Sequence, residues 1–421
     1  MKKIYTLVLS VILLFSIKTN SQNYCGSLRY DTEVFTTVDT TNNLTFGSSI
    51  NVNSSTQILK MNIYEPMGDT ASMRPLIIFA HGGSFLGGAK TDGDQVTLCT
   101  RFAKRGYVCA TIDYRLGMGF PIDSVNATKA VIRAVQDMKA AVRFFRQDAY
   151  TSNTYKIDTN FIFAGGTSAG AFMGLHLAYL NQISEVPSWV NISSLGGLEG
   201  NSGNPGYLST VSGVINLCGA LGDSSWIVNG DVPVVTMQGN SDQTVPYCKA
   251  KIFVLSFPIM IVNGASPLKI RCNNVGVTDP TYTWYNKDHC PFISNAQYMD
   301  TTVWFVSNFL YTQLGCTPSN PLPAQNALAS CSPTGIFEFA YNSGFEIYPN
   351  PSDGNFYVQI ENNFSNENEI IILDISGRIV FNKNFTENLF HIETAELPKG
   401  IYFVQLITDE HVLLTRKITV Q

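Results

Sequence analysis

Residues 161–170 constrain this 421-residue chain more than any other stretch. Phe161, Ile162, Phe163 and Ala164 make a short apolar run rich in β-formers, the pattern of a buried strand. The chain then reads Gly166-Thr167-Ser168-Ala169-Gly170, a G-x-S-x-G motif, and residues 171–180 read as a helix. Strand, sharp turn and helix around that motif is the setting of a nucleophile elbow, where a strained backbone lifts a serine hydroxyl above a sheet. Small neighbours are required because helix and strand approach closely there. A glycine-rich turn that merely contains a serine would spell the same motif, so the rest of the chain has to decide.

On either side, strands alternate with helices. Residues 59–66 alternate apolar and polar side chains, as expected of a half-solvated edge strand, whereas 75–80 are continuously apolar, as in a strand covered on both faces. That strand runs into His81-Gly82-Gly83-Ser84-Phe85-Leu86-Gly87-Gly88. A helix over 94–105, a strand over 107–115 and a long amphipathic helix over 127–149 precede the elbow. Further strands are expected over 211–217, 232–239 and 281–285, and a closing helix over 298–311. Residues 187–209, rich in Gly, Asn and Ser and carrying Trp189, read as a surface loop edging the cleft as a short lid. The alternation predicts an α/β fold with a mostly parallel central sheet.

The two ends differ from this middle. Lys2 and Lys3 followed by an apolar stretch over 4–17 and Asn20-Ser21-Gln22 have the form of a secretory signal, too short to span a bilayer comfortably. Pro318, Pro321, Pro323 and Pro333 among Ser, Ala and Asn read as a linker. Beyond it come short strands and turn signals without helical periodicity, the pattern of a small all-β sandwich. The expected division is a signal peptide at 1–22, a catalytic α/β domain at 23–315, a linker at 316–343 and a β-sandwich at 344–421. A net charge of −5 argues against nucleic acid as a partner. Nine cysteines suit an oxidising destination. The best local pair is Cys316 with Cys331, whose short loop would contribute about 3 kcal/mol in the chain-entropy model. Cys109 and Cys218 lie in apolar runs and read as buried thiols, and the odd count leaves at least one thiol free. No Cys-x-x-Cys or His-x-x-x-His spacing suggests a metal.

A serine hydroxyl is a weak nucleophile until a base takes its proton, and an imidazole base needs a carboxylate to fix its tautomer. Of five histidines, His391 and His411 fall in the β tail. His81 leads the glycine turn and would brace it. His176 lies two helical turns beyond Ser168 and should point into packing. His289, in a loop after a strand late in the chain, remains as the candidate base. Asp242 follows the strand at 232–239, at the carboxyl end where site residues of open α/β sheets collect, with Asp223 and Asp288 as rivals. The order Ser168, Asp242, His289 is the one expected of such a sheet. An oxyanion would need backbone donors, expected from the amide of Ala169 and from that of Gly83 or Ser84. Phe85, Trp189, Trp226 and Trp284 are candidates for the cleft lining or the core. No cofactor is called for by this chemistry.

His81-Gly82-Gly83-Ser84-Phe85, Asp113-Tyr114-Arg115-Leu116 and Gly166-Thr167-Ser168-Ala169-Gly170 together resemble the α/β-hydrolase esterases, those similar to carboxylesterases and hormone-sensitive lipase. The resemblance runs from about residue 59 to 311. It implies an α/β-hydrolase fold and cleavage of carboxylic esters, small or polymeric, through an acyl-enzyme. The family often has a third glycine where this chain has Ser84, and a large helical cap is not evident. The tail resembles the C-terminal sorting domain of the type IX secretion system, on Tyr348-Pro349-Asn350-Pro351, Gly354-Asn355-Phe356, 373–378 and 397–402. That resemblance implies a secreted or cell-surface protein that engages the type IX machinery. The competing expectations are a peptidase of the same fold, a catalytically silent surface binding module and, for the tail alone, a carbohydrate-binding sandwich.

Overall fold

The computed structural model describes residues 24–321, 328–331, 345–360, 368–374, 378–385, 387, 389–394, 397–408 and 411–421. The stretch read as a signal peptide, 1–22, lies outside them. Among the described residues no helix is long and apolar enough to cross a membrane. The chain forms two compact units, Met1–Cys331 and Ser332–Gln421.

The first unit is built on an eight-stranded sheet. β1 (Val38–Ile50) and β2 (Thr56–Pro66) form an antiparallel pair at one side, followed by β4 (Val108–Ile112), β3 (Arg74–Ala80), β5 (Ile157–Thr167), β6 (Gly213–Leu217), β7 (Val234–Gly239) and β10 (Thr281–Trp284). From β4 to β10 every pairing is parallel, so the carboxyl ends of these strands share one edge. β3, β4, β6 and β7 are buried or nearly so along their length, as their apolar runs predicted. Alternate residues of β3 feed opposite cores. Leu76 and Ile78 pack with α2 (Ser124–Tyr150) and α3 (Ala169–Tyr179), whereas Ile77 and Phe79 pack with α1 (Gly93–Ala103) and α5 (Ala296–Gln313). The predicted α/β fold with a mostly parallel sheet is therefore what the chain adopts, and its helices cover both faces.

Two expectations are corrected, and one element is new. The strand over 59–66 is not at the edge: β1, which the sequence reading did not separate, covers it. Alternation reports one half-solvated face and carries no information about whether a neighbour strand is present. A hairpin of β8 (Lys249–Val254) and β9 (Phe257–Asn263), followed by α4 (Ala265–Val275), was not anticipated. Its two-residue turn has positive φ at both Leu255 and Ser256, a conformation sequence reasoning looks for in Asn-Gly or Asp-Gly pairs. Cys316 and Cys331 do not pair with each other. Cys25 joins Cys316 and Cys248 joins Cys331, while Cys99, Cys109, Cys218, Cys272 and Cys290 are free and buried. The beginning of the unit and the end of α5 meet in space, which no local spacing encodes. The first part of the stretch read as a linker, from Cys316 to Cys331, is thus fastened at both ends to the first unit.

The second unit is all-β. β11 (Phe345–Tyr348), β12 (Asn355–Ile360) and β15 (Leu389–Glu393) form one antiparallel sheet. β14 (Ile379–Phe385), β13 (Asn368–Leu373), β16 (Gly400–Thr408) and β17 (His411–Val420) form the other. Phe356, Val358, Ile370, Ile372, Val404, Leu406 and Ile418 close a common core between them, as a sandwich requires.

Candidate active site

Ser168 sits between β5 and α3 with φ 55° and ψ −115°, a conformation side-chain-bearing residues avoid. The turn is possible because its flanking positions are glycines. A Cβ on Gly166 would lie 2.0 Å from the Ala80 carbonyl oxygen, and one on Gly170 would lie 1.9 Å from it. The Ser168 N–H donates to the Leu217 carbonyl at 2.8 Å. Beneath it, the Thr167 hydroxyl donates to Asp94 at 2.7 Å and accepts from Gln95 at 2.9 Å, tying the turn to the start of α1.

The loops after β7 and β10 bring two more side chains to this edge. His289 Nε2 lies 2.9 Å from Ser168 Oγ, and His289 Nδ1 lies 2.7 Å from Asp242 Oδ2. The Asp242 side chain is buried. Its Oδ1 accepts from the Thr244 and Val245 N–H groups at 2.9 and 2.8 Å, which leaves Oδ2 for the imidazole. Gln238 Nε2 reaches Oδ2 at 3.4 Å and also donates to the Val245 carbonyl at 2.8 Å, bracing the Asp242 loop. With Nδ1 donating to a carboxylate, Nε2 carries a lone pair toward the serine. Ser168, His289 and Asp242, far apart in sequence, therefore form one hydrogen-bonded line.

The rival carboxylates have other tasks. Asp288 Oδ1 accepts from the Gln243 and His289 N–H groups at 2.8 and 2.7 Å, and these two bonds hold its carboxyl below the usual range. It joins the two loops that carry Asp242 and His289. Asp223 caps a short 3-10 turn through the Ser225 N–H.

The loop after β3 folds over the serine. A Cβ on Gly82 would come within 3.3 Å of Ser168 Cβ, and one on Gly83 would lie 2.2 Å from the Gly87 carbonyl oxygen. Ser84 and Phe85 take φ 53° and 61°, so Ser84 adopts the left-handed conformation a glycine would adopt at lower cost. Among the described residues, no hydrogen bond occupies the N–H of Gly83, Ser84 or Ala169. Ala169 is the first residue of α3, whose N-terminal N–H groups have no partner within the helix. His81 braces the loop: its Nδ1 donates to the Gly82 carbonyl at 2.7 Å and its ring stacks on Tyr114. Burial pushes the His81 imidazole below its usual pKa, so it stays neutral near pH 7.

Two cavities meet at Ser168. One runs between α2, α3 and the β8–β9 hairpin and is lined by Phe85, Trp226, Phe172, Ile259 and others. The second lies on the His289 side and is lined by Gly82, Gly83, Asp92, Thr167 and His289. Of the four aromatic side chains considered for the cleft, Phe85 and Trp226 line it. Trp284 is buried in the core beside α5, and Trp189 is 54% exposed. From the stretch read as a lid, Pro187 reaches the first cavity. His176 was expected in packing. It is buried, yet it also walls the first cavity. The hairpin and the α2 face were missed as site elements, because nothing in their sequence ties them to residue 168.

Cys218 Sγ, Cys290 Sγ and a ring nitrogen of His289 lie within 4.8 Å of one another. Among the described residues this is the grouping of such donors that a cation could share. Both ring nitrogens already face Ser168 and Asp242, so a cation there would draw His289 away from one of them.

Residues 61–220 match the BD-FAE family, and residues 346–421 match the secretion system C-terminal sorting domain. No curated protein matches the chain. Among solved structures, the chain is similar to Thermogutta terrifontis esterase 2 phosphorylated by paraoxon, at 20% identity over 63% of this chain and 94% of that one, with a TM-score of 0.46. It is likewise similar to the apo form of that esterase, at 19% identity, 64% and 93% coverage and a TM-score of 0.47. A truncated form of a carbohydrate esterase from gut microbiota matches at 18% identity, 67% and 98% coverage and a TM-score of 0.45.

Proposed function

Starting from an esterase-type α/β-hydrolase domain followed by a type IX sorting domain, we propose that this chain is an exported serine hydrolase of carboxylic esters. The observation that carries the reading is the hydrogen-bonded line Ser168–His289–Asp242 at the carboxyl edge of a parallel sheet. His289 Nε2 takes the proton of Ser168 as Oγ attacks the ester carbonyl, and Asp242 stabilises the imidazolium that forms. The N–H of Ala169 and that of Gly83 or Ser84 receive the negative charge on the carbonyl oxygen, an interaction worth about 3–4 kcal/mol per donor in comparable sites. His289 then gives the proton to the leaving alcohol, and water cleaves the acyl-enzyme by the same steps in reverse roles.

The sorting domain supports a destination at the cell surface or beyond it, with the stretch 1–22 as the signal that starts the route. Export fits two cross-links in the first unit. We take 23–315 as the catalytic domain, 316–343 as the connection and 344–421 as the sorting domain.

Replacement of Ser168 by Ala tests the mechanism. The variant should fold normally but lose p-nitrophenyl acetate hydrolysis and labelling by a fluorophosphonate. Unchanged turnover in the variant rejects it. A silent surface module would leave the wild-type protein unlabelled.

A further inference from the structure

Two thiols stand beside the base of the hydrogen-bonded line, and no step proposed above uses them. Cys218 is the residue after β6, and Cys290 is the residue after His289. Their Sγ atoms and one His289 ring nitrogen all lie within 4.8 Å of one another. Both cysteines are buried and lie outside the two disulfides. The backbone pins each of them. The Cys218 N–H donates to the Met237 carbonyl at 2.8 Å, and the Cys290 carbonyl accepts from the Ile293 N–H at 3.1 Å. Both take positive φ, 61° and 47°, a costly backbone for a residue that carries a side chain.

Two sulfurs and an imidazole are a donor set that selects zinc and its heavier relatives over hard cations. A tetrahedral zinc ion has Zn–S of about 2.3 Å and Zn–N of about 2.0 Å, which sets its donors about 3.5–3.8 Å apart. From 4.8 Å or less, the three donors reach that spacing by side-chain shifts of about 1 Å. The charge balances as well. Each thiol gives up its proton as it binds, so two thiolates cancel the two charges of the ion and no net charge is buried. There is also a way in. Cys290 and His289 line the second cavity together with Asp92 and Asp94, whose carboxylates draw cations toward it. Water from this cavity completes the fourth position. Cys99 and Cys109 make the contrast: both are sealed in the core beside α1 and line neither cavity.

Coordination and catalysis exclude each other here. A neutral imidazole has one lone pair. With Nδ1 donating to Asp242, that pair is on Nε2 and faces Ser168 Oγ at 2.9 Å. A cation on Nε2 takes the pair that would receive the serine proton. A cation on Nδ1 moves the ring proton to Nε2 and displaces Asp242. Either way Ser168 is left without a base.

We infer that Cys218, Cys290 and His289 form an inhibitory site for a thiophilic divalent cation of the zinc group, whose binding reversibly silences Ser168. This inference rests on the roles of Ser168 and His289 proposed above.

The test is titration of the full-length protein with Cd2+ in buffer free of thiols and chelators. The ultraviolet charge-transfer band of cadmium thiolate and the hydrolysis of p-nitrophenyl acetate are followed in the same samples, and EDTA is then added. One Cd2+ per chain should raise the band and lower turnover in step, by at least about tenfold at saturation, and EDTA should restore both. Loss of an outer-shell partner costs about 10–100-fold in metal affinity, so losing two ligands should cost at least that. Cys218→Ala combined with Cys290→Ala should therefore need about a hundredfold more Cd2+ for half-inhibition, each variant being read against its own metal-free turnover. Cys218→Ser alone repeats the test should the double variant melt poorly. Cys99→Ala should keep the wild-type band and sensitivity. Equal sensitivity in the folded Cys218 and Cys290 variants, inhibition without the band, neither effect in the wild type, or loss of the band in Cys99→Ala overturns the site and leaves the hydrolase reading intact. If the wild-type protein hydrolyses no ester and takes no fluorophosphonate label, the hydrolase reading fails and the inhibitory role with it, and the band alone then decides whether the cation site exists.

Discussion

Replacing Asp242 by Asn tests the proton relay most directly, because the outcome follows from counting donors. The carboxylate accepts from Thr244 and Val245 N–H groups on Oδ1 and from His289 Nδ1 on Oδ2. An amide has one oxygen. If that oxygen keeps the two backbone N–H groups, its NH2 faces His289 Nδ1, donor against donor. The imidazole escapes by moving its proton to Nε2, and it can then no longer accept from Ser168 Oγ at 2.9 Å. If the amide turns the other way, it opposes two backbone donors in a buried site, which the alternative orientation avoids. The wrong tautomer costs about 10⁴ in kcat where the same substitution has been made in a triad of this kind, or about 5 kcal/mol. Asp288→Asn is the control. Its Oδ1 accepts two N–H groups, and an amide oxygen accepts the same two, so turnover should stay within roughly threefold of wild type. The assay is steady-state hydrolysis of p-nitrophenyl butyrate by both variants, with thermal melting to establish that each is folded. Asp242→Asn retaining more than about a tenth of the activity, or Asp288→Asn losing as much, would refute the assignment of the carboxylate.

Two further predictions concern stability. The Cys25–Cys316 link closes a loop with a sequence separation of 291 and Cys248–Cys331 one of 83. Loop-closure entropy makes the first worth more by (3/2)RT times the logarithm of their ratio, about 1 kcal/mol. Denaturant unfolding of the paired serine variants should show this order, and a larger loss from Cys248→Ser with Cys331→Ser would contradict it. Asp279 is buried with neither carboxylate oxygen in a hydrogen bond of normal geometry among the described residues, and desolvation raises its pKa from 3.8 to about 6. A raised acid pKa means the folded state holds the proton more tightly, so stability is lost as pH rises from about 4 through about 6. Some 2 pKa units correspond to a loss of at most about 3 kcal/mol at neutral pH. Asp279→Asn should therefore melt higher than wild type at pH 8 and alike at pH 4, and equal melting at both values would count against it.

The parallel strands were legible because burial on both faces leaves continuous apolar runs, as in Leu76 to Ala80 or Val234 to Met237. His289 was reachable because the chain has few histidines and the others had local explanations, and Asp242 because it follows a buried strand. The hairpin was not legible. Leu255-Ser256 is not the glycine-containing pair that turn reasoning recognises, and Pro258 interrupts the second strand. Without the hairpin, the cavity beside α3 has no outer wall, so it was invisible as well. Cysteine pairing failed for a related reason. Cys25 and Cys316 meet only after the whole sheet has formed, and sequence proximity favours the wrong partner.

The positions of the two cross-links also bear on how cargo and address separate. Both close at or before Cys331, and the sequence contains no cysteine beyond it. A protease that cuts between 332 and 344 breaks no covalent ring, and the trimmed enzyme keeps Cys25 joined to Cys316 and Cys248 to Cys331. The label that directs the chain outward can be discarded with one scission, and the sulfur bonds that steady the hydrolase outside the cell are untouched by its loss.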